Sequence, residues 1–111
     1  EKIIQRTSKV ATMNGIESIT TERKRQVEAE GWTTEHDDTH TDGEMSAAAA
    51  AYAFSAFTGI SYRAFSAEPI GFWPWDVEWW KPKTPREDLV RAGALIAAEI
   101  DRLDRMAAKS S

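Results

Sequence analysis

TPREDLVRAGALIAAEIDRLDRMAA, residues 84–108, carries its own start signal and the clearest helical pattern in the chain. Thr84 is a good N-cap, Pro85 occupies a position that needs no backbone N–H, and Glu87 has capping-box spacing from Thr84. Alanine, leucine, glutamate and arginine, all strong helix formers, dominate the rest of the stretch, so a helix is predicted to about Ala108. Side chains three and four apart share a helical face. Leu89, Ala92, Gly93, Ile96, Ile100 and Leu103 therefore read as the buried stripe, with Ala92 and Gly93 allowing another helix close. Glu87, Arg91, Asp101 and Arg105 fall opposite, at the spacing of supporting ion pairs.

Two further helices are expected upstream. Met45 to Phe57 is rich in alanine, Thr41 and Glu44 have capping-box spacing, and Gly59 is a natural stop after Thr58. Met45, Ala48, Ala49, Tyr52 and Ala56 share one face while Phe54 and Phe57 point elsewhere, which places this second helix at the centre of the bundle, covered on more than one side. The first helix runs from Ser18 or Thr20, with Thr20 as N-cap, to Glu30, where Gly31 ends it. Residues 59–83 hold prolines, glycines and most of the tryptophans without a sustained period, and read as a long irregular connection. Residues 1–15 contain Ile3, Ile4 and Val10, end on the turn signal Asn14-Gly15, and are ambiguous between strand and helix. The first residue is Glu1, not methionine, which is compatible with a natural chain that extends upstream. The expectation is an all-α protein: a small three-helix or slightly larger bundle in residues 16–111, with residues 1–15 as a segment apart.

A chain of 111 residues with 41% apolar composition suits one small domain with a modest core. Its net charge of −4 argues against a surface built for duplex nucleic acid. Without cysteine it has no disulfide, thiolate zinc site or cysteine nucleophile. No apolar run approaches the roughly 20 residues that span a bilayer, so no membrane partner and a cytoplasmic location are expected.

Candidate chemistry concentrates in ERKRQVEAEGWTTEHDDTHTDGE, residues 22–44. Ile16, Ile19 and Val27 reach the core only on the face that also carries Arg23, Gln26 and Glu30, and such groups are expensive to bury unpaired. Arg23 and Glu30 can close the edge of the bundle as an ion pair. Alternatively Arg23 and Gln26 recognise a planar or anionic ligand through the guanidinium fork and the amide. His36, Asp37, Asp38, His40, Asp42 and Glu44 lie next along the chain, on a loop. They are either helix caps and solvated groups, or ligand contacts such as ribose partners, or donors to a divalent metal held by His36, Asp38, His40 and Glu44. The spacing matches neither a zinc-hydrolase helix nor an EF-hand. Asp37 beside Arg23 would make an orienting pair.

The second dense feature is FWPWDVEWWKPK, residues 72–83. Trp73, Trp75, Trp79 and Trp80 can supply a core that a thin scaffold lacks. They can equally stack a nucleobase while Lys81 meets phosphate, or form a contact patch for a protein. With Trp32, the candidate ligand contacts are Arg23, Gln26, Glu30, Trp32, His36, Asp37, Asp38, Trp75, Trp79, Trp80 and Lys81.

The runs ERKRQ…EGWTTEHDDTHTDGEM…AAYA, WPWDVEWWKP and REDLVRAGALIAAEIDRLDR resemble a family of small proteins encoded by tailed bacteriophages and prophages, over residues 22–105. The resemblance implies expression in an infected bacterial cytoplasm, where small phage proteins commonly manipulate nucleotides or disarm host defences. The expected function is non-catalytic binding of a nucleotide or nucleotide-derived signal, with sequestration as the outcome. A metal-dependent nucleotide pyrophosphohydrolase similar to the MazG class is an alternative. That class presents paired acidic residues three apart on two helices, but here Ala47 stands three after Glu44 and Arg102 three after Glu99. A protein-binding inhibitor of a host factor is another alternative. Pairing into a homodimer through the second or third helix is expected of so thin a bundle.

Overall fold

The computed structural model describes residues 13–63 and 68–110, and the expectation for the Ile3, Ile4 and Val10 segment lies outside them. The described residues are all-α: α1 Gly15–Glu30, α2 Thr34–Asp37, α3 Glu44–Tyr62 and α4 Pro85–Ser110, with one 3-10 turn at Val77–Trp79.

Local chemistry sets most of the boundaries. Asn14, expected to mark a turn, is instead the N-cap of α1: its side chain accepts from the Glu17 N–H at 2.8 Å, and Glu17 returns the bond to the Asn14 N–H at 3.1 Å. This reciprocal box outcompetes Thr20, whose hydroxyl donates to the Ile16 carbonyl inside the helix. Gly31 ends α1 in the left-handed region at φ 72°, as a glycine there should. Thr33 caps the unforeseen short α2 by accepting from the His36 N–H. The expected Thr41 cap of α3 is absent; Gly43 occupies the cap at φ 80°, and Glu44 accepts from the Asp42 N–H at 2.7 Å. The helix also runs past Gly59 to Tyr62, because Gly59 serves as a contact point, where a Cβ would sit 3.0 Å from the Pro85 ring. Thr84 caps α4 as expected, accepting from the Glu87 N–H at 3.2 Å.

The spine of the molecule is α4, not the second predicted helix. It packs against α3 along one face, against α1 along another, and touches α2, whereas α1 and α3 do not pack on each other. The buried residues of α4 are Asp88, Ala92, Ala94, Leu95, Ala98, Glu99 and Arg102. Only Ala92 of these belongs to the stripe expected from side-chain size. Leu89, Ile96, Ile100 and Leu103 are each about half exposed. Close approach explains the change: Ala92 and Ala98 share one buried cluster with Ala48, Ala49 and Ala51, and a helix pair separated by methyl groups brings more backbone and β-carbon surface into contact. Met45, Tyr52, Leu95 and Trp80 complete that core. On the other side Ile19 of α1 sits directly over Gly93, its δ-carbon 2.5 Å from where a Cβ would be.

Polar contacts join the elements where apolar area is small. Asp88, buried in the first turn of α4, accepts from Ser55 of α3 at 3.1 Å and from the Lys83 N–H at 2.8 Å. Arg86 donates to Ser18 of α1 at 2.9 Å. Glu99 and Arg102, one turn apart on α4 and both buried, bond to each other at 2.6 Å. Arg91 and Arg105 do not make the expected pairs along the helix; they reach Glu22 and Asp38 instead.

A candidate aromatic ligand cleft

The end of α1 and the turn around α2 build one wall of a cleft. After Gly31 reverses the chain, the Trp32 N–H donates back to the Gln26 carbonyl at 3.0 Å, which fixes the exit direction of Trp32. Four residues later α2 presents His36, and four further on comes His40, its N–H donating to the Asp37 carbonyl at 3.0 Å. The three rings lie in a row, with centroids 6.0 Å apart from Trp32 to His36 and 5.0 Å from His36 to His40. Asp37, on the inner side of the same turn, is fully buried and pairs with Arg23 of α1. Asp38 accepts from Arg105 of α4 at 2.7 Å and 3.2 Å. These two ion pairs anchor the turn to two different helices.

The tryptophan connection supplies the other wall. Trp75 packs 5.4 Å from Trp32 and 5.3 Å from His40, closing a circle of four rings with His36. Behind it the aromatic contacts continue inward: Trp75 meets Trp73 at 5.5 Å, Trp73 meets Trp80 at 5.0 Å, and Trp80 stacks on Tyr52 of α3 at 4.8 Å. Arg91 of α4 staples the loop in place, donating to the Lys81 carbonyl at 2.9 Å and the Tyr52 hydroxyl at 3.0 Å. Trp80 thus belongs to the core and Trp73 packs against it, while Trp32 and Trp75 pack against the core and also line the cleft with Trp79. Its volume is about 530 Å³, and its remaining lining is His36, His40, Pro74 and Asp76. Lys81 lies 5.8 Å over the Trp79 ring, at the rim.

A narrow niche of about 30 Å³ shares Trp32, Trp75 and Trp79 with the cleft and reaches Gln26, Glu30, Lys81 and Arg91. Of the sequence-derived contacts, the structure thus gathers Gln26, Glu30, Trp32, His36, Trp75, Trp79 and Lys81. It does not bring Arg23, Asp37, Asp38 or Trp80 to the lining: the first three are engaged in ion pairs, and Trp80 is 8% exposed and turned into the core. His40, expected only as a metal donor, lines the cleft. Asp76 and Arg91 were missed; the acidic residue between tryptophans was a signal for the former, and no local signal distinguished Arg91 from a solvent-facing arginine.

The metal set does not assemble. Among the described residues no three His, Asp or Glu side chains converge. Asp38 is held by Arg105, which pulls its carboxyl below the usual range, and Glu44 is likewise lowered by backbone N–H groups, its own first and then that of Asp42. His40 lies 3.6 Å from Glu44, a pair and not a cage. Glu99, a candidate in the hydrolase reading, has both carboxylate oxygens bonded to Arg102. Among the described residues no helix is long and apolar enough to cross a membrane. Compared with protein-family models, curated proteins and solved structures, the chain matches none of them.

Proposed function

We propose that the protein is a non-catalytic binder of a nucleotide-like small molecule, held between the histidine-bearing turn and the tryptophan connection. The observation that carries this reading is the circle of Trp32, His36, His40 and Trp75 beside a cleft of about 530 Å³. Ligand sites are concave, mostly apolar and of this size, with a few polar groups that fix orientation. Stacking of one base on an aromatic side chain contributes about 1–3 kcal/mol and needs only a π-face. Lys81 at the rim suits phosphate, while Asp76, His36 and His40 suit ribose hydroxyls. Retention without turnover needs no nucleophile or general base. The resemblance to phage-encoded proteins supports sequestration of a nucleotide-derived host signal in an infected bacterial cytoplasm as the biological use.

The binder we propose is a homodimer. Leu89, Ile96, Ile100 and Leu103 recur at steps of seven, four and three residues along α4, the spacing of a coiled-coil seam, and each is about half exposed. A second copy of the chain is therefore the occupant that the stripe fits.

A thermal-shift panel of mono-, di- and cyclic nucleotides and ADP-ribose derivatives tests the ligand class. A ligand at a hundred times its Kd stabilises the fold by about 2.7 kcal/mol and raises the midpoint by on the order of 10 °C in a domain this small. Silence across the panel would contradict the proposal.

A further inference from the structure

We infer that the ligand is a nucleotide whose base carries an exocyclic amino group, and that Gln26 is the residue that selects it. This deepens the nucleotide reading and rests on it. Gln26 is 1% exposed, on the inner face of α1. Its amide orientation is set by its neighbour: Glu22 is a carboxylate that only accepts, so the Gln26 Nε2 faces it and donates to Glu22 Oε2 at 3.3 Å. Glu22 is itself fixed as a carboxylate; burial pushes its pKa upward, but hydrogen bonding from Arg25 and the charges of Arg25 and Arg91 bring it below the ordinary value.

The other half of the amide is left without a partner. Gln26 Oε1 is buried and accepts no hydrogen bond from the protein. A buried acceptor of this kind is costly unless something donates to it. Gln26 borders the 30 Å³ niche, which shares Trp32, Trp75 and Trp79 with the larger cleft. Such a volume holds a single water or an amino group, not a ring. A base stacked against these tryptophans can therefore extend only a small substituent toward Gln26, and the unpaired oxygen selects one that donates. Glu30, also bordering the niche, is a second acceptor; of the two cations there, Arg91 is committed to the Lys81 carbonyl and the Tyr52 hydroxyl, and the Lys81 ammonium lies over Trp79. An oxo substituent at the same position would leave the Gln26 oxygen unpaired.

Matched nucleotides test this by isothermal titration calorimetry on the full chain: AMP against IMP and purine riboside 5′-monophosphate, and CMP against UMP. The amino-bearing member of whichever set binds is expected to bind about tenfold or more tightly, since its partner leaves the buried oxygen unpaired. In Gln26→Met, which keeps the side-chain length and removes the acceptor, the ratio should fall toward one. Equal affinities within both sets for the wild-type chain would overturn the inference and leave the nucleotide reading standing, and would mean that a buried water satisfies Gln26. A preference that survives in Gln26→Met would overturn it too. No binding by any of the five overturns the inference, and silence across the wider nucleotide panel as well overturns the nucleotide reading. The wild-type ratio is decisive by itself should the variant fold poorly.

Discussion

Asp38 and Arg105 are 67 positions apart and meet at 2.7 Å, tying the turn that carries His36 and His40 to the last third of α4. The pair determines where one wall of the cleft stands relative to the helical spine. Arg105→Ala is expected to weaken nucleotide binding with little change in global stability, because a solvent-screened ion pair contributes little to folding. Titration beside equilibrium denaturation would separate the two effects; equal losses in both would contradict a positioning role.

The same pair gives a pH dependence. The Arg105 guanidinium holds the Asp38 carboxyl below its ordinary value, and Glu44 is lowered by the N–H groups at the start of α3. A carboxylate with a depressed folded-state pKa stabilises the fold fully above its unfolded value and loses that contribution as pH falls through the folded one. Denaturation midpoints should hold steady down to the ordinary carboxylate range and drop below it. In Asp38→Asn the acid-side drop should be shallower.

Gly93→Ala tests the contact between α1 and α4. Alanine in place of a helical glycine is favourable by about 1 kcal/mol on propensity alone. Here the added Cβ would lie 2.5 Å from the Ile19 δ-carbon and 2.8 Å from its γ-carbon. Overpacking of this kind costs about 1–3 kcal/mol, so the net effect should be destabilising. Chemical denaturation of the single variants and of Gly93→Ala with Ile19→Ala should show the double variant losing less than the sum.

Leu95→Ala should cost about 2–5 kcal/mol, since Leu95 is almost completely buried between α3 and the tryptophan cluster. Ile100→Glu should not, because that side chain is half exposed. Its effect should emerge in analytical ultracentrifugation: a dimer for the wild-type chain, a monomer of unchanged helical content for the variant. A wild-type monomer at high micromolar concentration would remove the proposed pairing.

The helices were legible where local chemistry sets them. Gly31, Thr84 and Pro85 work through their own neighbours, so position in the sequence is enough. Asn14 was ambiguous because one side chain serves both turns and caps. The buried face of α4 was misread because large apolar residues were assigned inward, whereas the close approach to α3 selects alanine and sends Ile96, Ile100 and Leu103 outward. At the site, the helical spacing of Trp32, His36 and His40 was present in the sequence, but their meeting with Trp75 depends on a loop returning from the far side of α3. Arg23 and Asp37 were expected as an orienting pair, and the structure joins them. Their engagement with each other is also why neither lines the cleft. Arg91 and Arg105 had partners of suitable spacing nearby and took distant ones, a choice that only the packing of the helices determines.

Tryptophan fluorescence on titration with AMP, CMP, GMP and UMP tests the central claim most directly, because Trp32, Trp75 and Trp79 line the cleft. The account predicts saturable quenching by at least one of them and an affinity about tenfold weaker in Trp75→Ala, the cost of one lost stacking surface. No saturable change with any of the four, or binding undiminished in Trp75→Ala, would contradict it.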